Sequence, residues 1–383
     1  MSLLGTETAF EVLAKAKRLE AQGKDIVHLH IGAPDFLTPP NIVAAGEKAL
    51  RDGWHKYTPA KGIPELREAV CEDIKTHRGA EVSPDDVLIV PGGKPTMFYA
   101  IMMFGEPGKE ILYPNPGFPI YESLIRWSGA TPVPIELLEE NGFSFSAQRV
   151  LEQITPSTSL LIINTPANPT GGVLPREELD LLVAGLEAHP HVTILCDEIY
   201  SRLLYDGEEH VSILQYPEVR DRAIMLDGWS KTYAMTGWRL GYGVWPSAIV
   251  DHAERLQINS SSCANAVTQV AAIEALRGPQ DAVDAMCAAF DERRLIIHEE
   301  LNAIPGFSCV MPKGAFYAFP NTSGTGVASR ELEERFLNDA GVACLAGTSF
   351  GALGEGYMRF SYANSIENIR EGLRRVAANL ESA

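Results

Sequence analysis

Short apolar runs punctuate the first two-thirds of the chain, each closed by a polar or glycine-rich break. The runs at 87–90, 110–113, 159–163, 192–196, 223–226 and 240–244 have the length and composition of strands. Stretches of helical character at 96–104, 176–189 and 248–256 separate several of them. Short apolar strands spaced by helices predict a mainly parallel or mixed sheet covered on both faces. Ahead of this alternation, 7–22 reads as a helix stopped by Gly23, and 41–52 and 64–77 as two more, with a proline-rich loop at 32–40. Beyond residue 280 the pattern changes. A long helix at 281–301 is followed by strands at 307–311 and 315–319, a helix at 330–339, and strands at 342–345 and 357–361. Ile366, Ile369, Leu373, Val376 and Leu380 then form one stripe of a last helix, with Asn364 and Glu367 set as its capping pair. A chain of 383 residues exceeds what one core organises. The expectation is an α/β fold with a large domain at 41–279 and a smaller α+β domain built from 1–40 and 280–383.

Composition narrows the functional classes. The net charge is −18, from 32 basic and 50 acidic residues, so the bulk surface repels nucleic acid and anionic membranes. An anionic ligand therefore needs a local basic site. No run of apolar residues is long enough for a membrane span, and Glu7 and Glu11 stand where an export signal needs apolar residues. The six cysteines are scattered without a CxxC pair, which favours reduced thiols and a cytoplasmic location. Nine histidines form no HExxH, and His189 and His191 flank a proline in a loop, so no metal site is expected.

Five segments carry candidate chemistry, and each alone also has a structural reading. Lys231 lies among Trp229, Tyr233, Met235 and Trp238, with Arg239 close in sequence. Desolvation and a neighbouring cation lower an amine's pKa, as a Schiff-base lysine requires; the alternative is a surface lysine with a buried stem. Asp197, in Cys196-Asp197-Glu198-Ile199-Tyr200, follows a buried strand, where α/β sheets build ligand sites and where simple caps also occur. The turn from Asn164 through Asn168 to Gly172 is either a rigid perch for an amide or only a turn. Gly92, Gly93 and Lys94 lead from a strand into a helix N-terminus, a phosphate cradle in form, though not a Walker loop. Arg359 sits inside an apolar strand, which is costly unless an anion or a structural partner meets it.

Taken together and in this order, the segments SKTYAMTGWRLGY, NTPANPTGG, CDEIY and KYTPAKGIPELREAV resemble the class I/II aminotransferases of the aspartate aminotransferase-like superfamily, fold type I, over about Gly32 to Arg359. That resemblance implies pyridoxal 5'-phosphate as cofactor, held by Lys231 as an internal aldimine. It implies that the freed Lys231 amine moves the proton from the substrate Cα, that Asp197 pairs with the pyridine nitrogen, and that Tyr200 and Asn168 bind the ring oxygen. Phe118 would stack on the ring, and Gly92, Gly93, Lys94, Ser230 and Arg239 would hold the phosphate. Tyr57 would reach the phosphate of a neighbouring subunit, making the site shared and a homodimer necessary. Arg359 would clamp the substrate α-carboxylate, with Asn168 and the backbone at Gly32 nearby, and Asn168–Pro169 would be cis. Two features modify the pattern. Pro95 removes one N–H from the first helical turn, and position 228 is glycine where some relatives carry a hydroxyl.

The implied activity is ping-pong transfer of an amino group from an L-amino acid to a 2-oxo acid. A carbon–sulfur β-lyase would keep the same cofactor residues. A non-catalytic ligand-binding module is the third reading, opposed by the intact Lys231, Asp197, Asn168, Tyr200 and Arg359. Phe10, Phe36 and Phe316 either line an apolar-tolerant substrate pocket or belong to the core. No arginine is assigned to a second substrate carboxylate, so the donor is open.

Overall fold

A computed structural model describes residues 4–381. Its strands, in chain order, are β1 (Val27–His28), β2 (Val87–Val90), β3 (Glu110–Asn115), β4 (Thr131–Glu136), β5 (Thr158–Asn164), β6 (Thr193–Asp197), β7 (Ala223–Gly228), β8 (Gly241–Val244), β9 (Tyr317–Ala318), β10 (Val342–Ala343), β11 (Leu345–Ala346) and β12 (Met358–Ser361). A seven-stranded sheet has the order β2-β8-β7-β6-β5-β3-β4. Only β8 runs against the rest, pairing antiparallel with both β2 and β7. The other strands therefore end on one edge, where parallel sheets gather ligand-binding loops.

The strand sequences explain this sheet. In β5, Leu161 and Ile163 pack into one apolar cluster while Leu160 and Ile162 pack into another. The same division holds for Ile194 against Leu195 and for Met225 against Leu226. Side chains alternate across a strand, so a run apolar at every position buries both faces. The edge strand β4 escaped the pattern. Its TPVPIE sequence buries only Ile135, and its two prolines fit an edge, where ladder donors are not needed.

A third apolar cluster joins Val27, Phe290, Leu301, Phe336, Phe360 and Leu373 from the two ends of the chain. Here β1 pairs parallel with β10, and β12 lies between β11 and β9. Several boundaries differ from expectation. The segment 307–311 forms no strand and pairs only through the bridge of Ser308 with Asn321. The 342–345 run splits at Cys344 into β10 and β11, which serve different sheets. The 330–339 helix is regular over Ser329–Arg335 and widens to a looser turn at Phe336–Ala340. The last helix, Ile366–Glu381, is capped by Ser365, whose Oγ accepts from the Asn368 amide at 3.2 Å. Asn364 instead orients that residue, accepting from the Ser365 amide at 2.8 Å.

The first four helices are α1 (Thr8–Ala21), α2 (Pro40–Arg51), α3 (Pro64–Arg78) and α4 (Lys94–Phe104). Helix α4 starts two residues earlier than predicted, which puts Pro95 inside its first turn. Among the described residues, no helix is long and apolar enough to cross a membrane.

Candidate active site

A cleft of about 600 Å³ opens over the C-terminal ends of the parallel strands. Gly32, Gly93, Lys94, Phe118, Asn168, Asp197, Tyr200, Ser230, Lys231, Arg239 and Arg359 all line it. Nearly every residue singled out from the sequence therefore converges on one place. Gly92 stands just behind the lining at φ +85°, a conformation side chains rarely adopt. A Cβ there would fall 2.1 Å from the Arg239 guanidinium, so the glycine makes room for it. Tyr57 is the exception. It is 89% exposed and lies outside this cleft, lining a separate depression with Trp54 and Lys56.

Lys231 follows β7 in the short helix Trp229–Thr232. Its Nζ donates to the Gly32 carbonyl at 2.5 Å and lies 5.9 Å from the centre of the Tyr200 ring. Burial lowers its pKa to about 8, with Arg359, Arg239 and Lys94 acting in the same direction and Glu7 opposing them. Such an amine is neutral often enough near neutrality to act as a nucleophile and base.

Asp197 is the last residue of β6 and 4% exposed. Tyr121 donates its hydroxyl to Asp197 Oδ2 at 2.7 Å, and the Ile199 amide donates to Oδ1 at 3.2 Å. Both donors are neutral. Burial pushes the carboxyl up to about 6; those two bonds oppose the rise, and Asp227 and Glu198 add to it. A buried carboxylate held only by neutral donors invites a cation from the cleft.

Arg359 lies on β12, 4% exposed, between the rings of Tyr317 at 4.5 Å and Phe350 at 4.7 Å. Its Nη1 donates to Asn168 Oδ1 at 3.0 Å and its Nη2 to the His30 carbonyl at 2.5 Å. Both acceptors are neutral, and the buried Nε has no partner. Desolvation accordingly lowers its pKa. The Asn168–Pro169 bond is cis, as expected, and Asn115–Pro116 and Thr165–Pro166 are cis as well.

At the other end of the cleft, the start of α4 presents Gly93 and Lys94 beside Ser230 and Arg239. The Lys94 ammonium pairs with Glu7 and lies 5.5 Å above the Phe118 ring. Of the three aromatics noted as pocket candidates, Phe10 lines the cleft, Phe316 is fully buried, and Phe36 packs on Phe290. Sequence reasoning passed over three participants. Tyr121 holds Asp197; Tyr317 meets the Tyr200 hydroxyl at 2.8 Å; His30 is fully buried with neither ring nitrogen bonded. Burial first, then the charges of His28 and Arg359, lowers the His30 pKa to about 3. Their sequence signals are those of ordinary core aromatics, and only contact separates them from the core.

The profile of the family described as "Aminotransferase class I and II" matches residues 24–376. The chain belongs to this family. It is 38% identical over 379 residues to an aspartate aminotransferase of Bacillus sp. (strain YM-2), covering 97% of this chain and 96% of the relative. It is also 38% identical over 360 residues to aromatic-amino-acid aminotransferase 2 of Thermococcus litoralis, covering 93% and 92%. The crystal structure of the aspartate aminotransferase from Rhizobium meliloti superposes with a TM-score of 0.94 at 32% identity, covering 98% of this chain and 96% of that one. The protein is thus a transferase of amino acid metabolism that moves an amino group from an amino acid to a 2-oxo acid. Its family works with pyridoxal 5'-phosphate.

The residues present fit that cofactor. The buried Asp197 carboxylate lacks a cationic partner, Gly92 lets the Arg239 guanidinium come close beside the start of α4, and Lys231 supplies an amine of lowered pKa in the same cleft.

Proposed function

We propose that the cleft binds pyridoxal 5'-phosphate and exchanges amino groups there in two half-reactions, amino acid to 2-oxo acid and then the reverse with a second pair. The observation that carries this reading is the convergence of Lys231, Asp197 and Arg359, each buried or partly buried and none paired with an opposite charge that would explain it. When bound, the cofactor supplies an aldehyde and an electron-accepting ring. Lys231 Nζ would hold the aldehyde end and, once the donor's amino group has freed it, would move the proton at the substrate Cα. Asp197 keeps the ring nitrogen protonated, and Tyr200 and Asn168 donate to the ring oxygen. Phe118 covers one ring face. Gly92, Gly93, Lys94, Ser230 and Arg239 hold the phosphate at the α4 N-terminus, where N–H groups and the helix dipole favour an anion. Arg359 takes the α-carboxylate, beside Gly32 and Asn168.

Three further readings belong with it. The chain divides into a large domain at 41–279 and a small one from 1–40 and 280–383; a cluster drawn mainly from the chain ends, with Tyr200, Leu203 and Tyr205 meeting it from the large domain, supports this. It acts as a homodimer in which Tyr57 reaches the partner's phosphate; its exposure within one subunit supports this. It works in the cytoplasm, in keeping with cysteines that are all free thiols among the described residues.

The test is an absorbance titration of cofactor-depleted protein with pyridoxal 5'-phosphate, followed by single additions of aspartate, alanine and phenylalanine. A cofactor band that forms and then shifts with a donor, releasing the matching 2-oxo acid, supports the reading and names the donor. A band that never shifts refutes it. Two variants sharpen the map. Arg359→Ala is expected to lower kcat/KM for every donor by roughly 10²-fold, mainly through KM, because a hydrogen-bonded buried charge is lost from the carboxylate end. An unchanged KM for all donors would remove Arg359 from that role. Tyr57→Phe is expected to weaken cofactor affinity about tenfold while leaving the sedimentation of the dimer intact. A monomer with full activity would overturn the shared site.

A further inference from the structure

Behind the wall of the cleft lies a second charged cluster whose members do not line it. Asp197 and Lys231 are carried by the exits of β6 and β7, and each exit holds another buried carboxylate. Glu198, fully buried, follows Asp197, and Asp227, 6% exposed, stands four residues before Lys231. One side chain spans both. Arg78, the last residue of α3 and 3% exposed, donates Nε to Glu198 Oε2 at 2.9 Å and Nη2 to Asp227 Oδ2. Its Nη2 also reaches Ser201 Oγ at 2.9 Å. The arginine lies 120 residues from Glu198 and 149 from Asp227 in sequence.

The two exits are also joined through the backbone, since the Glu198 amide donates to the Leu226 carbonyl at 2.9 Å. The remaining carboxylate oxygens are committed to shaping the loops beyond the exits. Asp227 Oδ1 accepts from the Gly228 amide at 2.6 Å, fixing the turn toward Lys231. Glu198 Oε1 accepts from Ser212 Oγ at 2.8 Å and the Ile213 amide at 3.1 Å, and His210 Nε2 contacts Oε2 at 2.8 Å. A planar guanidinium offers several donors in a fixed fork, so it sets a distance and an angle between two carboxylates that a single ammonium cannot.

We propose that Arg78 is a positioning residue for transamination: by bridging Glu198 and Asp227 from behind, it holds the exits of β6 and β7 so that Asp197 and Lys231 meet the cofactor in register. This rests on the roles proposed for Asp197 and Lys231. Arg78 touches neither cofactor nor substrate and acts only through these exits. The arrangement has two consequences. Loss of Arg78 leaves buried carboxylates without their cation, which distorts the exits. Loss of Arg78 together with the Asp227 charge eases the imbalance, leaving Glu198 with His210, but still leaves no fork between the exits.

The experiment compares Arg78→Asn, Arg78→Lys and the double variant Arg78→Asn/Asp227→Asn with the wild type in kcat, donor KM, pyridoxal 5'-phosphate affinity of the depleted protein, and melting temperature. Arg78→Asn is expected to lower kcat roughly tenfold or more, since small misplacements of reacting groups are costly. Cofactor affinity falls with it. Donor KM stays near wild type, because Arg359, Asn168 and His30 are untouched. The double variant recovers melting temperature, because one unpaired buried charge is gone, but not kcat, because no fork bridges the exits. Arg78→Lys keeps the charge but not the fork, so its kcat also falls with the fold intact; it carries the test should Arg78→Asn fail to fold. Wild-type kcat and cofactor affinity in Arg78→Lys, or a double variant whose kcat returns to wild type together with its melting temperature, would overturn the proposal. A wild type that forms no shifting cofactor band would instead overturn the reading on which it rests.

Discussion

Replacing Lys231 with alanine is expected to slow each half-reaction by roughly 10⁴-fold or more, the upper end of what a positioned proton-transfer group contributes. The amine is set for the task by its surroundings. Burial and three nearby cations bring it down to about 8, while Glu7 limits the fall. Lys94, the other lysine of the cleft wall, has its ammonium engaged by Glu7 and sits over Phe118, so it is no substitute. The fold should survive. Lys231 donates only to the Gly32 carbonyl, and truncation leaves the short helix Trp229–Thr232 with its backbone bonds. Cofactor affinity should fall but persist, because Asp197 and the phosphate end remain. The decisive measurement is single-turnover absorbance with a responding donor, alongside circular dichroism. Single-turnover rates within tenfold of wild type would mean that another group moves the proton and that the assignment of Lys231 is mistaken.

The sheet was readable because its physics is local. Strands buried on both faces write themselves as apolar runs, and β2, β3, β5, β6 and β7 are of that kind. The edge strand β4 was invisible for the converse reason, with one buried side chain and two prolines. The short pairings β9, β10 and β11 are two residues each. No periodicity can mark so brief a strand, and these are fixed by partners far away in sequence, as β1 is by β10. The site followed the same rule. Residues at strand exits were legible as motifs, since a motif is a local string. Tyr121, Tyr317, His30 and Arg78 act through contacts across 76 to 329 residues of chain. Each looks in sequence like core or helix-end material. Ser365 displaced Asn364 as cap for a smaller reason: both can serve, and only the helix start at Ile366 decides which of them stands in the capping position.

The cleft also resolves a tension set by composition. A chain of net charge −18 disfavours anionic ligands, yet the proposed cofactor carries a phosphate and every proposed substrate a carboxylate. The local answer is the grouping of Lys94, Arg239, Lys231 and Arg359 around one cavity, opposed there by Glu7 and Asp197. Arg359 illustrates how the grouping is kept reactive. Its partners are a side-chain amide and a carbonyl, with aromatic faces on either side, so no resident carboxylate has to be displaced before a substrate's can bind.

Changing Asp197 to asparagine is expected to lower kcat by about 10²- to 10³-fold, the usual effect of removing one preorganised charge from a reacting group. Donor KM should move much less, because Arg359 holds the carboxylate end independently. The reason for so large an effect from an isosteric change is that an amide cannot carry the charge that keeps a ring nitrogen protonated. The Ile199 amide would still find an oxygen, and the Tyr121 hydroxyl can turn to accept from the new NH2, so the geometry is largely conserved while the electrostatics are lost. The pH dependence gives a second signature. In the cofactor-free protein the Asp197 carboxyl titrates at about 6, above its ordinary value of 3.8. Between those values the folded protein keeps a proton that the unfolded chain has released, so this residue's contribution to stability is lost as pH rises through about 6. Cofactor binding needs the ionised carboxylate, so affinity should climb over the same interval. The cofactor phosphate also ionises near pH 6, but that contribution is common to wild type and variant. The difference between their affinity curves therefore isolates Asp197: wild type should gain more on passing from pH 5 to 7.5, and Asp197→Asn should lose less stability without cofactor over that range. Parallel curves together with wild-type kcat would show that this carboxylate is structural, and that the cation it was expected to meet lies elsewhere.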